Sequence, residues 1–324
     1  MMTTKIALVG VGKIARDQHV PALSASPDFE LVATASLEGA VEGVPGFQSL
    51  DALFAAHPEV TAVSICIPPV PRFEVAAQAL RSGRHVMLEK PPGASVSECR
   101  ELEAMAKQAD LSIYATWHSR EAAQVANARA WLRNKRLTSL TITWKEDVRR
   151  WHPGQTWIWK SGGLGVFDPG INALSILTEI LPVPVHMRAA TLFVPENCDT
   201  PIAADLTFAH PDGAAVSADF DFRQEGEQTW SMDIRTTEGD LVLSDGGARL
   251  AIDGETLASD AVLHETADEG GEDKAPLGGE YHRLYANFAR LLASGETDMD
   301  LSPLLHVADA FMLGRRVSVE PFIE

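Results

Sequence analysis

Short apolar runs separated by helix-length segments constrain the first third of this chain more than any other feature. The runs are KIALVG (5–10), FELVATAS (29–36), AVSICI (62–67), HVMLE (85–89) and LSIYATW (111–117). Between them, 13–24, 49–57, 73–82 and 96–109 read as helices, with Gly83 as a stop signal. A strand that is apolar on both faces must be covered on both faces. Strand–helix alternation then requires right-handed crossovers and a parallel sheet between layers of helices. The connection 38–48 is too rich in glycine and proline for a full helix.

The first run ends in GVGKIA, residues 10–15, which matches G-x-G-x-x-A between a strand and a helix. Gly10 permits the tight turn, and Gly12 lets backbone approach a pyrophosphate. Ala15 is small enough for close helix–strand packing, and a helix amino terminus favours negative charge. Gly10, Gly12, Lys13 and Ile14 are therefore expected at a dinucleotide. The second run ends Ser36-Leu37-Glu38. Ser36 has no carboxylate to repel a 2′-phosphate, Leu37 has no cation to attract one, and Glu38 reaches the ribose if the loop bends. The expected cofactor is NAD(P), with NAD and NADP both open. At the third run, Ile67-Pro68-Pro69 cannot continue a ladder and presents a flat backbone surface. At the fourth, Glu89-Lys90-Pro91-Pro92 fixes a lysine at a strand end. Ligands of open parallel sheets bind outside the carboxyl ends of strands, so Gly10, Ser36, Pro68 and Lys90 should line one edge.

The remainder changes character. A helix over 122–134 leads into a strand at 140–147, a tryptophan-rich loop, and a helix from about 169 to 180. Between 185 and 250, turn-like stretches such as HPDG, TTEGD and SDGG separate several strands. The pattern predicts an antiparallel meander open on one face. Residues 259–279 read as an acidic, glycine-containing loop, and 280–293 and 302–316 as closing helices. The fold class is thus α/β followed by α+β, with domains at 1–120 and 121–324.

In SGGLGVFDPGIN (161–172), Asp168 before Pro169 is a standard helix opening, which competes evenly with a catalytic role. Asn172, four residues on, shares its helical face. Gly162, Gly163 and Gly165 let backbone pass close to something bulky. Four of the seven tryptophans (Trp144, Trp151, Trp157 and Trp159) fall within one short segment, interleaved with Glu146, Asp147, Arg149, Arg150 and His152. Indole faces and carboxylates suit a sugar, although core packing explains Trp144, Trp157 and Trp159 equally well.

Acidic residues total 45 against 27 basic ones, a net charge of −18. Such a surface repels phosphate backbones and disfavours nucleic acid as a partner. Cys66, Cys99 and Cys198 show no CxxC or zinc-like spacing, so no metal site is expected and a reducing cytoplasm is the natural home. The start, MMTTKIALVG, enters a strand without a visible secretion leader, and no apolar run has membrane-spanning length.

GVGKIA, EKPPG and SGGLGVFDPGIN, in this order, resemble the Gfo/Idh/MocA oxidoreductase family over essentially the whole chain. DQHVPAL, TWIWKSGG and DPGINALSIL are similar to its aldose 1-dehydrogenase branch, which also carries asparagine where most members have histidine, here Asn172. The resemblance implies an N-terminal Rossmann domain, a doubly wound parallel sheet, and a second domain whose large open sheet binds substrate. It implies a Lys90–Pro91 bond that is often cis, with Glu89, Lys90 and His118 beside the cofactor. His118, Glu146, Trp151, Asp168, Asn172 and Trp230 map onto sugar-binding positions. The implied reaction oxidises C1 of a pyranose (D-galactose, L-arabinose or D-fucose type) to the lactone. Asp168 is the expected base, directly or through Lys90, and Asn172 orients the C1 oxygen. An inositol or dihydrodiol dehydrogenase, or a non-catalytic sugar sensor related to galactose-regulon repressors, is the alternative. An open sheet exposing an apolar face would favour a homodimer packed sheet on sheet.

Overall fold

The computed structural model describes residues 3–37, 39–257 and 279–323. The chain begins with β1 (Thr4–Val9), a wide π-turn (Ala15–His19), α1 (Val20–Ala25), β2 (Phe29–Ala35), β3 (Gly46–Phe47), α2 (Leu50–Ala56), β4 (Ala62–Ile65), α3 (Pro69–Arg81), β5 (His85–Leu88), α4 (Val96–Gln108) and β6 (Ile113–Ala115). The strands form one sheet of order β3-β2-β1-β4-β5-β6, and every pairing is parallel. Ile6, Leu8, Val63, Ile65, Val86 and Leu88 are fully buried, as two-sided burial requires. Ser49 caps α2 by accepting from Ala52 N–H at 3.2 Å. No helix occupies 39–45.

The chain continues with α5 (Val125–Leu132), β7 (Leu137–Lys145), α6 (Val148–Trp151), α7 (Phe167–Ile180), β8 (His186–Pro195), β9 (Ala203–Ala209), β10 (Ala215–Asp221), β11 (Thr229–Thr236), β12 (Gly239–Ser244), β13 (Arg249–Ile252), β14 (Glu255–Thr256), α8 (Glu280–Ser294), α9 (Ser302–Leu313) and β15 (Arg315–Val319). A second sheet of nine strands has the order β14-β13-β12-β11-β7-β10-β9-β8-β15. It is antiparallel except for β10 on β7 and β15 on β8. Leu140, Ile142, Val216, Ala218, Leu206, Phe208, Met232 and Ile234 point to its buried face. Helices α5 and α7 belong to the same unit, and the buried face of α7 includes Phe167, Ile171, Leu174 and Leu177.

Several expectations need correction. The chain divides into two compact units, 1–118 with 280–301, and 119–279 with 302–324. The expected boundary at 120/121 left α8 in the second domain, whereas it packs on the first. Its stripe Tyr281, Leu284, Tyr285, Phe288 and Leu291 recurs at helical spacing and is at most 3% exposed. Phe288 stacks on Phe29 and Tyr114, and Ala115 N–H donates to Asp298 O at 2.8 Å. Helix α9 stops at Leu313, because RRVSV beyond Gly314 pairs with β8 as a strand. Helix α7 starts at Phe167 with Val166 as its N-cap, so Asp168 lies inside the first turn and does not cap it. The open sheet face carries Thr141, Thr143, Asp205, Thr207, Ser217 and Asp219, with Lys145 paired to Asp219 at 2.5 Å. Strand alternation places polar residues outward, so the face is not apolar. The acidic loop expected over 259–279, and Glu38, lie outside the described residues apart from Gly279.

Candidate active site

In the first unit, parallel pairing brings the carboxyl ends of β2, β1, β4 and β5 side by side. Contacts run continuously along this edge. Ser36 Oγ accepts from Val11 N–H at 3.2 Å, and Gly10 N–H donates to Ala35 O at 2.8 Å. Gly10 has φ +86°, and a Cβ there would lie 2.7 Å from Ile67 Cγ2. Glycine is required twice over, by the left-handed backbone and by the neighbouring chain. Arg72 on α3 donates through Nε to Ile67 O at 3.1 Å and through Nη1 to the carbonyls of Glu89 and Pro91. The Lys90–Pro91 bond is cis, and Lys90 is half-buried just beyond the fully buried end of β5.

These residues fit a dinucleotide. A Cβ on Gly12 would meet no atom within 4 Å, so the turn offers open backbone to an anion. Gly12, Lys13 and Pro68 are exposed, Ile14 and Ile67 are half-buried, and Pro69 is buried as the first residue of α3. Leu37, 85% exposed, presents neither sign of charge.

Two expected contact residues turn inward instead. Glu89 is buried, and its Oε1 meets His19 Nε2 at 3.0 Å and accepts from Tyr281 Oη at 2.6 Å. Its Oε2 accepts from Lys90 N–H at 2.7 Å. Burial opposes ionisation of Glu89, but the hydrogen bond and charge of His19, the charge of His118 and the Tyr281 hydroxyl hold its carboxyl well below the ordinary range. Burial also opposes charge on His19, yet Cys66, Tyr285 and Glu89 together raise its pKa. His118 is buried against Tyr281, with Nδ1 2.7 Å from Glu280 Oε2. Glu89 thus supports Lys90 from within rather than presenting a carboxylate to a ligand. Sequence reasoning missed Arg72, Tyr281 and Tyr285. The signal for the tyrosines was the i, i+4 aromatic stripe of α8, and for Arg72 a charge set among the prolines of PPVPR.

In the second unit, the end of β7 and the turn of α6 gather a polar cluster. Glu146 is buried beyond Trp144, and its Oε2 accepts from Trp230 Nε1 at 2.9 Å. His152 follows α6, with Nε2 3.2 Å from Glu146 Oε1 and Nδ1 3.4 Å from Asp168 Oδ2. Asp168 is 4% exposed on α7, and Asn172 lies one helical turn on. Trp151 meets Trp230 edge-on, with ring centroids 5.4 Å apart, and its Nε1 donates to Gln228 at 3.3 Å. The structure therefore brings Glu146, Trp151, Asp168 and Trp230 together around His152, a residue the sequence left without a role. Trp144 belongs to the buried sheet face. The glycine stretch packs on the chain itself: a Cβ at Gly163 would lie 2.3 Å from Trp157 O, and one at Gly165 would lie 2.2 Å from Pro201 O.

The model of an oxidoreductase family with an NAD-binding Rossmann fold, Gfo/Idh/MocA, matches residues 4–116. A galactose 1-dehydrogenase of Pseudomonas fluorescens is 44% identical over the full length of both chains. The chain belongs to the Gfo/Idh/MocA oxidoreductase family. Within that family, the crystal structure of a D-galactose-1-dehydrogenase from Rhizobium etli superposes with a TM-score of 0.90 at 50% identity, covering 100% of this chain and 99% of that one. A 3-ketoreductase of Actinomadura kijaniata, solved with NADP and TDP-benzene, shares the fold at a TM-score of 0.80 and 19% identity, covering 98% and 100% of the chains. The matched segment ends just after β6, so the Gfo/Idh/MocA model corresponds to the parallel sheet and its glycine turn.

Proposed function

We propose that this chain is an NAD(P)-dependent aldose 1-dehydrogenase that oxidises C1 of a pyranose to the aldonolactone. D-galactose is the leading substrate, and L-arabinose and D-fucose, which share its ring stereochemistry, are the next. The carrying observation is the carboxylate–imidazole–carboxylate chain Glu146–His152–Asp168 beside the indoles of Trp151 and Trp230. Buried carboxylates that share an imidazole suit hydroxyl pairs and proton transfer, and the indoles suit the C–H face of a sugar ring. The likeness to two galactose dehydrogenases supports the same reading.

The bound dinucleotide would supply the acceptor for the C1 hydride. Asp168 takes the C1 hydroxyl proton, with Lys90 as the alternative acceptor, and His152 holds the Asp168 carboxyl in place. Asn172 orients the C1 oxygen, and Glu146 with Trp151 and Trp230 holds the ring. Gly10, Gly12, Lys13, Ile14, Ser36, Leu37 and Ile67 to Pro69 hold the dinucleotide. The histidine expected at position 172 of an inositol-type enzyme is absent, and a sensor has no need of Lys90 and Asp168 together. A rate panel of aldoses with each cofactor tests the reading. NAD(P)+ reduction fastest with D-galactose, with lactone as product, is the expected result; no reduction with any aldose refutes it.

Residence in the cytoplasm and self-association complete the proposal. Three free thiols suit a reducing compartment. The open face of β7, β9 and β10, where Thr and Ser hydroxyls alternate with Asp205, Asp219 and Lys145, suits a second copy held by hydrogen bonds. A monomer by light scattering at micromolar concentration contradicts the dimer, and recovery outside the cytoplasm contradicts the location.

A further inference from the structure

We propose that Arg72 is a positioning residue that sets Lys90 for the reaction. Arg72 is 2% exposed and donates to three backbone carbonyls. Nε donates to Ile67 O at 3.1 Å, and Nη2 donates to the same oxygen. Nη1 donates to Glu89 O and to Pro91 O, the carbonyls on either side of Lys90. The Lys90 N–H is itself held by Glu89 Oε2 at 2.7 Å. One rigid, permanently charged fork thus ties Ile67, two residues beyond β4 and against the Gly10 turn, to the peptide segment that carries Lys90. Interior carbonyls without a cation would leave that segment free to shift, and misplacing a reacting group by an ångström is enough to slow catalysis.

The fork matters beyond the charge. A lysine ammonium retains the positive charge but cannot reach Ile67 O and the carbonyls of Glu89 and Pro91 together. The R72K variant should therefore lower kcat by about 10–100-fold and change the sugar KM by less than about threefold. The decisive comparison is a double-mutant cycle with K90A. If Arg72 acts through Lys90, R72K costs less than about threefold in the K90A background. A purely structural role gives the same fold-loss in both backgrounds.

This kinetic arm rests on the dehydrogenase reading, so a second measurement stands apart from turnover. The rate at which an amine reagent labels Lys90, read by peptide mass spectrometry, should rise at least about threefold in R72K, as Lys90 is no longer held. Circular dichroism melts confirm that R72K is folded; a neutral R72M variant that fails to fold leaves the test with R72K. Near-wild-type kcat in R72K, equal losses in both backgrounds, or unchanged labelling overturns the proposal. Failure of wild-type protein to oxidise any aldose overturns the functional reading instead, and labelling still judges Arg72.

Discussion

Replacing Asp168 by asparagine separates chemistry from folding. The carboxyl is 4% exposed in the first turn of α7, with His152 Nδ1 3.4 Å from Oδ2. Asparagine preserves its size and shape and removes the charge. The stability terms lost include the favourable position of an anion near a helix amino terminus, about 0.3–1 kcal/mol, and the long contact with His152, worth roughly as much again. At about 1–2 °C per kcal/mol for a chain of this size, Tm should fall by less than about 4 °C. Loss of a positioned base is much larger, about 10²–10⁴-fold in turnover, or about 3–5 kcal/mol of barrier. Steady-state NAD(P)H formation with D-galactose, alongside a thermal melt, measures both. A variant that keeps turnover within about threefold of wild type refutes a proton-transfer role for Asp168. A variant that unfolds refutes the small stability cost.

Other substitutions test the supports around these residues. In Glu89→Gln the buried pair with His19 is broken, which costs about 3 kcal/mol, or about 3–6 °C in Tm. Glu89 has a lowered pKa, so its contribution is present above the ordinary 4.5 and is lost as pH falls through the folded value. His19 has a raised pKa, so its contribution is full below the ordinary 6.5 and is lost as pH rises through the folded value. The gap in Tm between wild type and variant should therefore be widest between about pH 4.5 and 6.5, and a gap independent of pH contradicts the pairing. Gly163→Ala sets a Cβ 2.3 Å from Trp157 O and 2.5 Å from Ile158 O, both backbone atoms that cannot swing aside. Denaturant unfolding should show a loss of about 3 kcal/mol, and an unchanged midpoint means the loop is looser than its packing indicates.

Local signals accounted for much of the first unit. Continuous apolar runs at strand length, a glycine turn after the first of them and prolines after two others placed Gly10, Ser36, Pro68 and Lys90 at neighbouring strand ends. Each of those signals acts within a few residues: a backbone that only glycine adopts, a ladder that proline ends, a face that needs burial. Strand alternation likewise foretold a broad sheet in the second unit, although its outward face was misjudged because hydroxyl and acidic residues occupy every other position.

Long-range pairing lies beyond such signals. Nothing near residue 280 indicates that α8 returns to cover the first sheet, because its aromatic stripe fits any apolar surface of the right shape. Tyr281 and Tyr285 find Glu89 and His19 only once that return is made. His152 gains its place when β7, α6 and α7 bring Glu146 and Asp168 to its two ring nitrogens. The amino-acid order thus determined the elements and the chemical groups at their ends, because those follow from backbone sterics and periodicity. The packed fold alone decided which charges face one another, because the energy of a buried ion pair depends on separations of a few ångströms between residues far apart in the chain.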